Sequence, residues 1–94
     1  MAKRKRCSEP WSVYIVECSN QALYTGIAKD VLRRLATHNA GRGAKYTRIF
    51  GPVQLRWSEK HKGHLSAARR EAQIKRWPRQ RKLMLIGVHR SGII

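Results

Sequence analysis

The first apolar run of the chain is WSVYIVEC (residues 11–18), dense in β-branched and aromatic side chains, and it predicts a strand. Ser19 and Asn20 are turn formers, so ALYTGI (22–27) reads as the returning strand of a hairpin. Asp30 is a good N-cap for a helix over 31–39 (VLRRLATHN), with Gly41 as its stop. At 100° per residue, Val31, Leu32 and Leu35 form one apolar stripe on that helix. Arg34 and His38, four apart, stack along its edge, while Arg33 points away. Residues 41–52 carry Gly41, Gly43, Gly51 and Pro52 and read as a loop. VQLRWSE (53–59) alternates, with Val53, Leu55 and Trp57 on one face, and predicts a third, half-buried strand. Ser66 suits the cap of a helix running to about Trp77 and stopped by Pro78, and RQRKLMLI (79–86) predicts a shorter one. The order is β-β-α-β-α-α. It implies an α+β fold, a three-stranded antiparallel sheet flanked by helices.

Residues 1–10 (MAKRKRCSEP) are polar and cationic and read as a disordered arm, 11–87 as the folded domain, and 88–94 as a tail. Ninety-four residues leave room for one small core. Charge changes the picture more than length does. Lys and Arg number 21 against five Asp and Glu, a formal net charge of +16. A domain so basic repels itself, and the usual counterpart is nucleic acid. No apolar stretch reaches the length of a membrane span, and Glu9, Pro10 and Glu17 interrupt any signal-peptide core, so a cytoplasmic protein with reduced Cys7 and Cys18 is expected. His61 and His64 sit three apart, but the cysteines lack the short spacing of a zinc site.

Glu71 is the acid that calls for an explanation. Glu9 lies in the arm, Asp30 caps a helix, and Glu17 and Glu59 fall in strands, whereas Glu71 shares a helical arc with Ala67, Ala68, Ala72 and Ile74. A carboxylate among small apolar side chains is costly unless it is paired or bound to a cation. Lys75, four residues on, is the plain ion-pair partner, and a metal could displace it.

SVY at 12–14 and YTG at 24–26, with ten positions from Tyr14 to Tyr24, resemble the paired motifs that name the GIY-YIG nucleases, although Ser12, Val13 and Thr25 depart from the name. The likeness continues through DVLRRLATHNAG (30–41), YTR (46–48) and REAQIKRW (70–77), and is similar to the small stand-alone UPF0213-like members of that superfamily. It implies a metal-dependent endonuclease with a one-metal mechanism, using Mg²⁺ with Mn²⁺ as a substitute, on nucleic acid, DNA ahead of RNA, and a place in DNA repair. The catalytic set it implies is Tyr14, Tyr24, Arg34, His38 and Glu71, with Glu71 as metal ligand and Gly26 and Asn39 as structural positions. Arg34 would stabilise phosphoryl charge, Tyr14 would accept the proton of water once its pKa is lowered, His38 would orient a tyrosine or act as the base, and Tyr24 would position water or phosphate. Nucleic-acid contacts fall to Arg33, Arg42, Lys45, Arg48, Arg70, Lys75 and Arg76. No obligate protein partner is evident. The alternative is a nucleic-acid-binding module of the same fold with little catalysis.

The two tyrosines meet only under one condition. An odd-numbered hairpin loop such as Ser19–Gln21 keeps Tyr14 and Tyr24 on the same face, and a two-residue loop would separate them.

Overall fold

The computed structural model describes residues 10–42 and 51–91, with side chains up to Gly87. Six elements follow the expected order: β1 (Trp11–Glu17), β2 (Leu23–Ala28), α1 (Val31–Asn39), β3 (Gln54–His61), α2 (His64–Lys75) and α3 (Arg79–Ser91). The sheet is antiparallel with strand order β2-β1-β3. Its central strand is buried on both faces, which explains why WSVYIVE reads as a nearly continuous apolar run. No helix among the described residues is long and apolar enough to cross a membrane.

Two clusters make the core, one on each face. Val13, Ile15, Trp57, Ala67, Ile74 and Ile86 form one, on the side of α2 and α3. Tyr14, Val16, Cys18, Ala28 and Val53 form the other, with Val31 and Leu35 of α1 packed against it. The hairpin loop is the odd-numbered one. Cys18 N–H donates to Ala22 and Gln21 N–H to Cys18, at 2.8 Å each, and Gln21 takes a φ of 69°. Val16 therefore faces Tyr24 and Tyr14 faces Gly26, so the tyrosines are diagonal neighbours on one face.

Four expectations are corrected. The clean alternation of β3 is broken, because the β1–β3 register shifts between Ile15 and Val16, pairing Ile15 with Trp57 but Val16 with Leu55. That bulge sends Val53 and Leu55 to the α1 side and Trp57 to the α2 side. Arg56, the extra residue, turns its guanidinium to Glu17 at 2.7 Å. Leu32 is 70% exposed, and His38 takes the sheet-facing place in its stead, in line with Val31 and Leu35 at positions i, i+4 and i+7. Finally, α2 starts two residues earlier than Ser66, with Gly63 as its N-cap. The Ser66 hydroxyl is drawn instead to His61 Nδ1 at 2.6 Å. The last helix also continues to Ser91, past the expected end at residue 86 and into the segment read as a tail. Gly87 has open space around it, and one exposed glycine costs only about 1 kcal/mol against a helix already anchored by Leu85 and Ile86.

The ends of α1 are firm. Asp30 accepts from the Arg33 N–H at 3.1 Å. Gly41, at φ 80°, donates to His38, and Arg42 donates to Thr37, which is a Schellman closure. The Asn39 side chain then accepts from Val53 N–H at 2.6 Å and donates to Val53 O at 3.2 Å, tying the end of α1 to the start of β3.

One buried group lacks a partner among the described residues, the Thr25 hydroxyl, in a side chain 3% exposed. A desolvated hydroxyl without a hydrogen bond costs free energy that an isosteric methyl does not. Thr25→Val is expected to raise stability by ~1 kcal/mol. A urea midpoint that stays put or falls would show that this hydroxyl is satisfied.

Candidate active site

Tyr14 comes from the middle of β1, its ring lying across Gly26 of the edge strand β2. A Cβ at position 26 would sit 2.5 Å from the Tyr14 hydroxyl and 2.7 Å from Cζ. Only glycine leaves the space that the phenol occupies. The Tyr14 hydroxyl hydrogen-bonds His38 Nε2 at 3.0 Å, inside the protein. His38 is 1% exposed, and the Tyr24 ring stands edge-on to it at 5.7 Å between centroids. Arg34, one turn before His38, lies on the exposed side of α1 with its guanidinium in hydrogen-bonding reach of the phenol. Glu71 comes from α2, in the opposite layer, and its charge bears on the same phenol. Its carboxylate is partly exposed and holds Lys75 Nζ at 3.4 Å, the i,i+4 pair expected from the sequence.

Tyr14, Tyr24 and His38 meet in these contacts, drawn from both strands of the hairpin and from α1, with Arg34 acting on the phenol from one turn before His38, whereas Glu71 pairs with Lys75 on its own helix. Spacing in sequence could not supply that convergence. The protein's own groups do not supply the lowering of the Tyr14 pKa that its role as a base requires. Burial pushes the Tyr14 phenol above its ordinary value of 10, and Tyr24 and Glu71 add to the rise; Arg34 opposes it without overcoming it. Burial first, and Arg34 second, hold His38 below its ordinary value, so the imidazole is neutral at pH 7. In the tautomer that carries its proton on Nδ1, His38 Nε2 accepts the phenol proton in their hydrogen bond.

The lowered His38 value has a consequence for stability. Between its folded value and the unfolded value of about 6.5, the unfolded chain binds the extra proton and the folded chain does not. Stability is therefore complete above about pH 6.5 and falls as pH drops through that window. Denaturant midpoints at pH 5 and pH 7.5 should differ in this direction, and the difference should shrink in His38→Gln. A wild-type midpoint that rises on acidification would contradict it.

The other sequence-derived positions separate into two kinds. Arg33, Arg42 and Arg76 are exposed, while Lys45 and Arg48 lie outside the described residues. Arg70 is already engaged: it binds Glu59 at 3.1 Å and Gln73 at 2.7 Å, and lies over Trp77. Lys75 is held by Glu71. Asn39 does not touch the tyrosines in any described contact and serves as the clamp on Val53. Nothing in the chain's periodicity indicates that clamp. His61 bonds Glu59 and Ser66, and His64 packs edge-on against Trp11. Among the described residues no group of three or more His, Cys, Asp or Glu could hold a metal. A single partly exposed carboxylate still suits Mg²⁺, which keeps most of its water shell and binds through one or two carboxylates plus substrate phosphate.

The sequence model of the GIY-YIG catalytic domain matches residues 10–84. The chain belongs to the GIY-YIG nuclease family. A UPF0213 protein of Staphylococcus aureus strain Mu3 is 51% identical over 74 residues, covering 79% of this chain and 90% of the relative. The UPF0213 proteins of strains Mu50 and N315 match to the same extent. The solution NMR structure of the UPF0213 protein BH0048 from Bacillus halodurans is similar with a TM-score of 0.55 and 38% identity over 84% of both chains. The GIY-YIG family acts on nucleic acid, and its nucleases generally depend on a divalent metal. The β-β-α-β-α-α order and the antiparallel sheet agree with that fold.

Proposed function

We propose that this protein is a Mg²⁺-dependent endonuclease that hydrolyses phosphodiester bonds in nucleic acid, DNA ahead of RNA, in the cytoplasm, with Mn²⁺ able to substitute. The observation that carries this reading is the buried Tyr14–His38 pair, a phenol hydrogen-bonded at 3.0 Å to an imidazole that is neutral at pH 7. A raised phenol pKa makes a free phenolate expensive, and the pair avoids one. As water attacks phosphorus, Tyr14 Oη takes a proton from it and passes its own to His38 Nε2. The new P–O bond forms, the bond to the leaving strand oxygen breaks, and that oxygen takes up a proton from solvent.

Arg34, exposed at the mouth of the pair, donates to the phosphoryl oxygens as charge grows on them. Tyr24 holds the His38 ring by edge contact and would position the water or phosphate. Glu71 would hold the metal ion in exchange for Lys75. When bound, the ion neutralises the phosphate and stabilises the leaving oxygen. Arg33, Arg42 and Arg76, with Lys45 and Arg48, supply phosphate contacts.

A binding module of the same fold is the second reading, favoured by the Lys75 ammonium on the one candidate metal ligand. Cleavage of a panel of DNA and RNA substrates under Mg²⁺ titration separates the two. Ion-dependent strand scission that Glu71→Ala abolishes supports the nuclease, and equal trace rates in both proteins leave the binding module.

A further inference from the structure

The second helix pair carries a feature that the catalytic set does not use. Where α2 gives way to α3, Trp77, Pro78, Gln80, Arg81, Met84 and Leu85 line an open groove of about 540 Å³. Its floor is apolar, and Met84 stands 65% exposed in its wall. Its rim is cationic. The Arg81 guanidinium lies over the Trp77 ring at 4.3 Å from the centroid, and Arg76 and Arg79 stand exposed beside it. No ion pair among the described residues engages Arg76, Arg79, Arg81 or Lys82. The first turn of α3 contains no acid, although cations there oppose the helix dipole. An apolar slot ringed by uncompensated positive charge fits a ligand with flat apolar faces and an attached anion.

We propose that this groove seats one unpaired nucleobase of a nucleic-acid strand, so that the substrate is one with a single-stranded or displaced nucleotide. The inference rests on the nucleic-acid reading above and adds the substrate class. A base would lie against Met84, Pro78 and Leu85, where its π faces lose water, or stack on the Arg81 guanidinium plane. The Gln80 amide, at the rim, offers both a donor and an acceptor to the base edge. Arg79 and Arg76 would meet the flanking phosphates. A second copy of this chain is disfavoured as the occupant, because each copy carries a net charge of +16. The groove begins at Trp77, two residues past the end of α2, the helix that carries Glu71.

Two DNA duplexes of one sequence test this, each with a three-nucleotide 3′ overhang, one of thymidines and one abasic. Their phosphates are equal in number, so only the bases differ. The protein is expected to bind the thymidine overhang roughly tenfold more tightly. Met84→Gln, a change at an exposed position, should bring that ratio near one while leaving affinity for the abasic duplex and the melting temperature unchanged. The chain has two methionines, so methyl-labelled Met84 gives a resolved reporter beside Met1. Its resonance should move upfield with the thymidine overhang and stay in place with the abasic one. A ratio of one in the wild type, or a ratio that survives Met84→Gln, overturns the groove assignment and leaves the nuclease reading intact. A dimer in sedimentation that Met84→Gln dissolves also overturns it, assigning the groove to a second copy. Failure to bind either duplex removes the nucleic-acid reading itself and this inference with it.

Discussion

Glu71→Ala is expected to abolish ion-dependent cleavage while binding of substrate is preserved or tightened. The variant loses the one carboxylate among the described residues whose charge bears on the Tyr14 phenol, and it frees the Lys75 ammonium that Glu71 now holds at 3.4 Å. Removing a negative charge near a phosphate cannot weaken the Coulombic part of binding. The steep fall of affinity with salt expected of so basic a chain should therefore remain. Tyr14→Phe removes only a hydroxyl from a side chain 2% exposed and should lower the rate by roughly 10²-fold or more, the range of general acid–base contributions. Arg34→Ala should lower rate and affinity together, and Arg33→Ala affinity alone, because only Arg34 is in reach of Tyr14 and His38. Single-turnover cleavage beside anisotropy titrations measures both quantities. A Glu71→Ala protein that cuts as fast as wild type with Mg²⁺ would end the proposal for this residue, whatever the fate of Tyr14.

Gly26→Ala is expected to be the most damaging change outside the charged set. The added methyl would meet the Tyr14 hydroxyl at 2.5 Å and Cζ at 2.7 Å, well inside contact distance. Tyr14 cannot simply swing aside, because its hydroxyl is tied to His38 and its ring is packed with Val16, Cys18 and Ala28. Either the ring or β2 must move. Overpacking of this kind costs about 1–3 kcal/mol, and for a chain of this size each kcal/mol lowers Tm by about 4–8 °C. A shift of ~1 Å in a reacting group is enough to cost about 10²-fold in rate. The surviving folded protein should therefore bind substrate with the wild-type salt dependence but cleave it at least that much more slowly. Full activity in Gly26→Ala would show that the position of the phenol is not what the reaction requires.

Much of the architecture was readable along the chain because short-range chemistry fixes it. Asp30 and Gly41 bound α1 as capping chemistry requires, and the bonds are there. The sequence set the condition of an odd-numbered hairpin loop, and the β1–β2 register meets it, placing Tyr14 and Tyr24 on one face. The i,i+4 relation of Glu71 and Lys75 is local in the same sense. Errors arose where local signals compete with a distant partner. Ser66 is a respectable cap in isolation, but His61 claims its hydroxyl. Leu32 belongs to the stripe by hydropathy, yet the sheet takes His38 there, since Tyr14 provides the polar partner that a buried imidazole needs.

By itself, then, the sequence determined the six elements and their order, the family motifs and the strongly positive field, all of which depend on residue type and spacing within a few turns. Tertiary structure alone decided the bulge at Arg56, which parts Leu55 from Trp57 and which no periodicity encodes. It alone decided the protonation of the central pair. Burial raises the Tyr14 phenol and lowers His38, with Arg34 opposing the rise of the phenol without overcoming it. A pKa depends on how much water the fold removes around a group, and that quantity exists only once both layers have closed on the sheet.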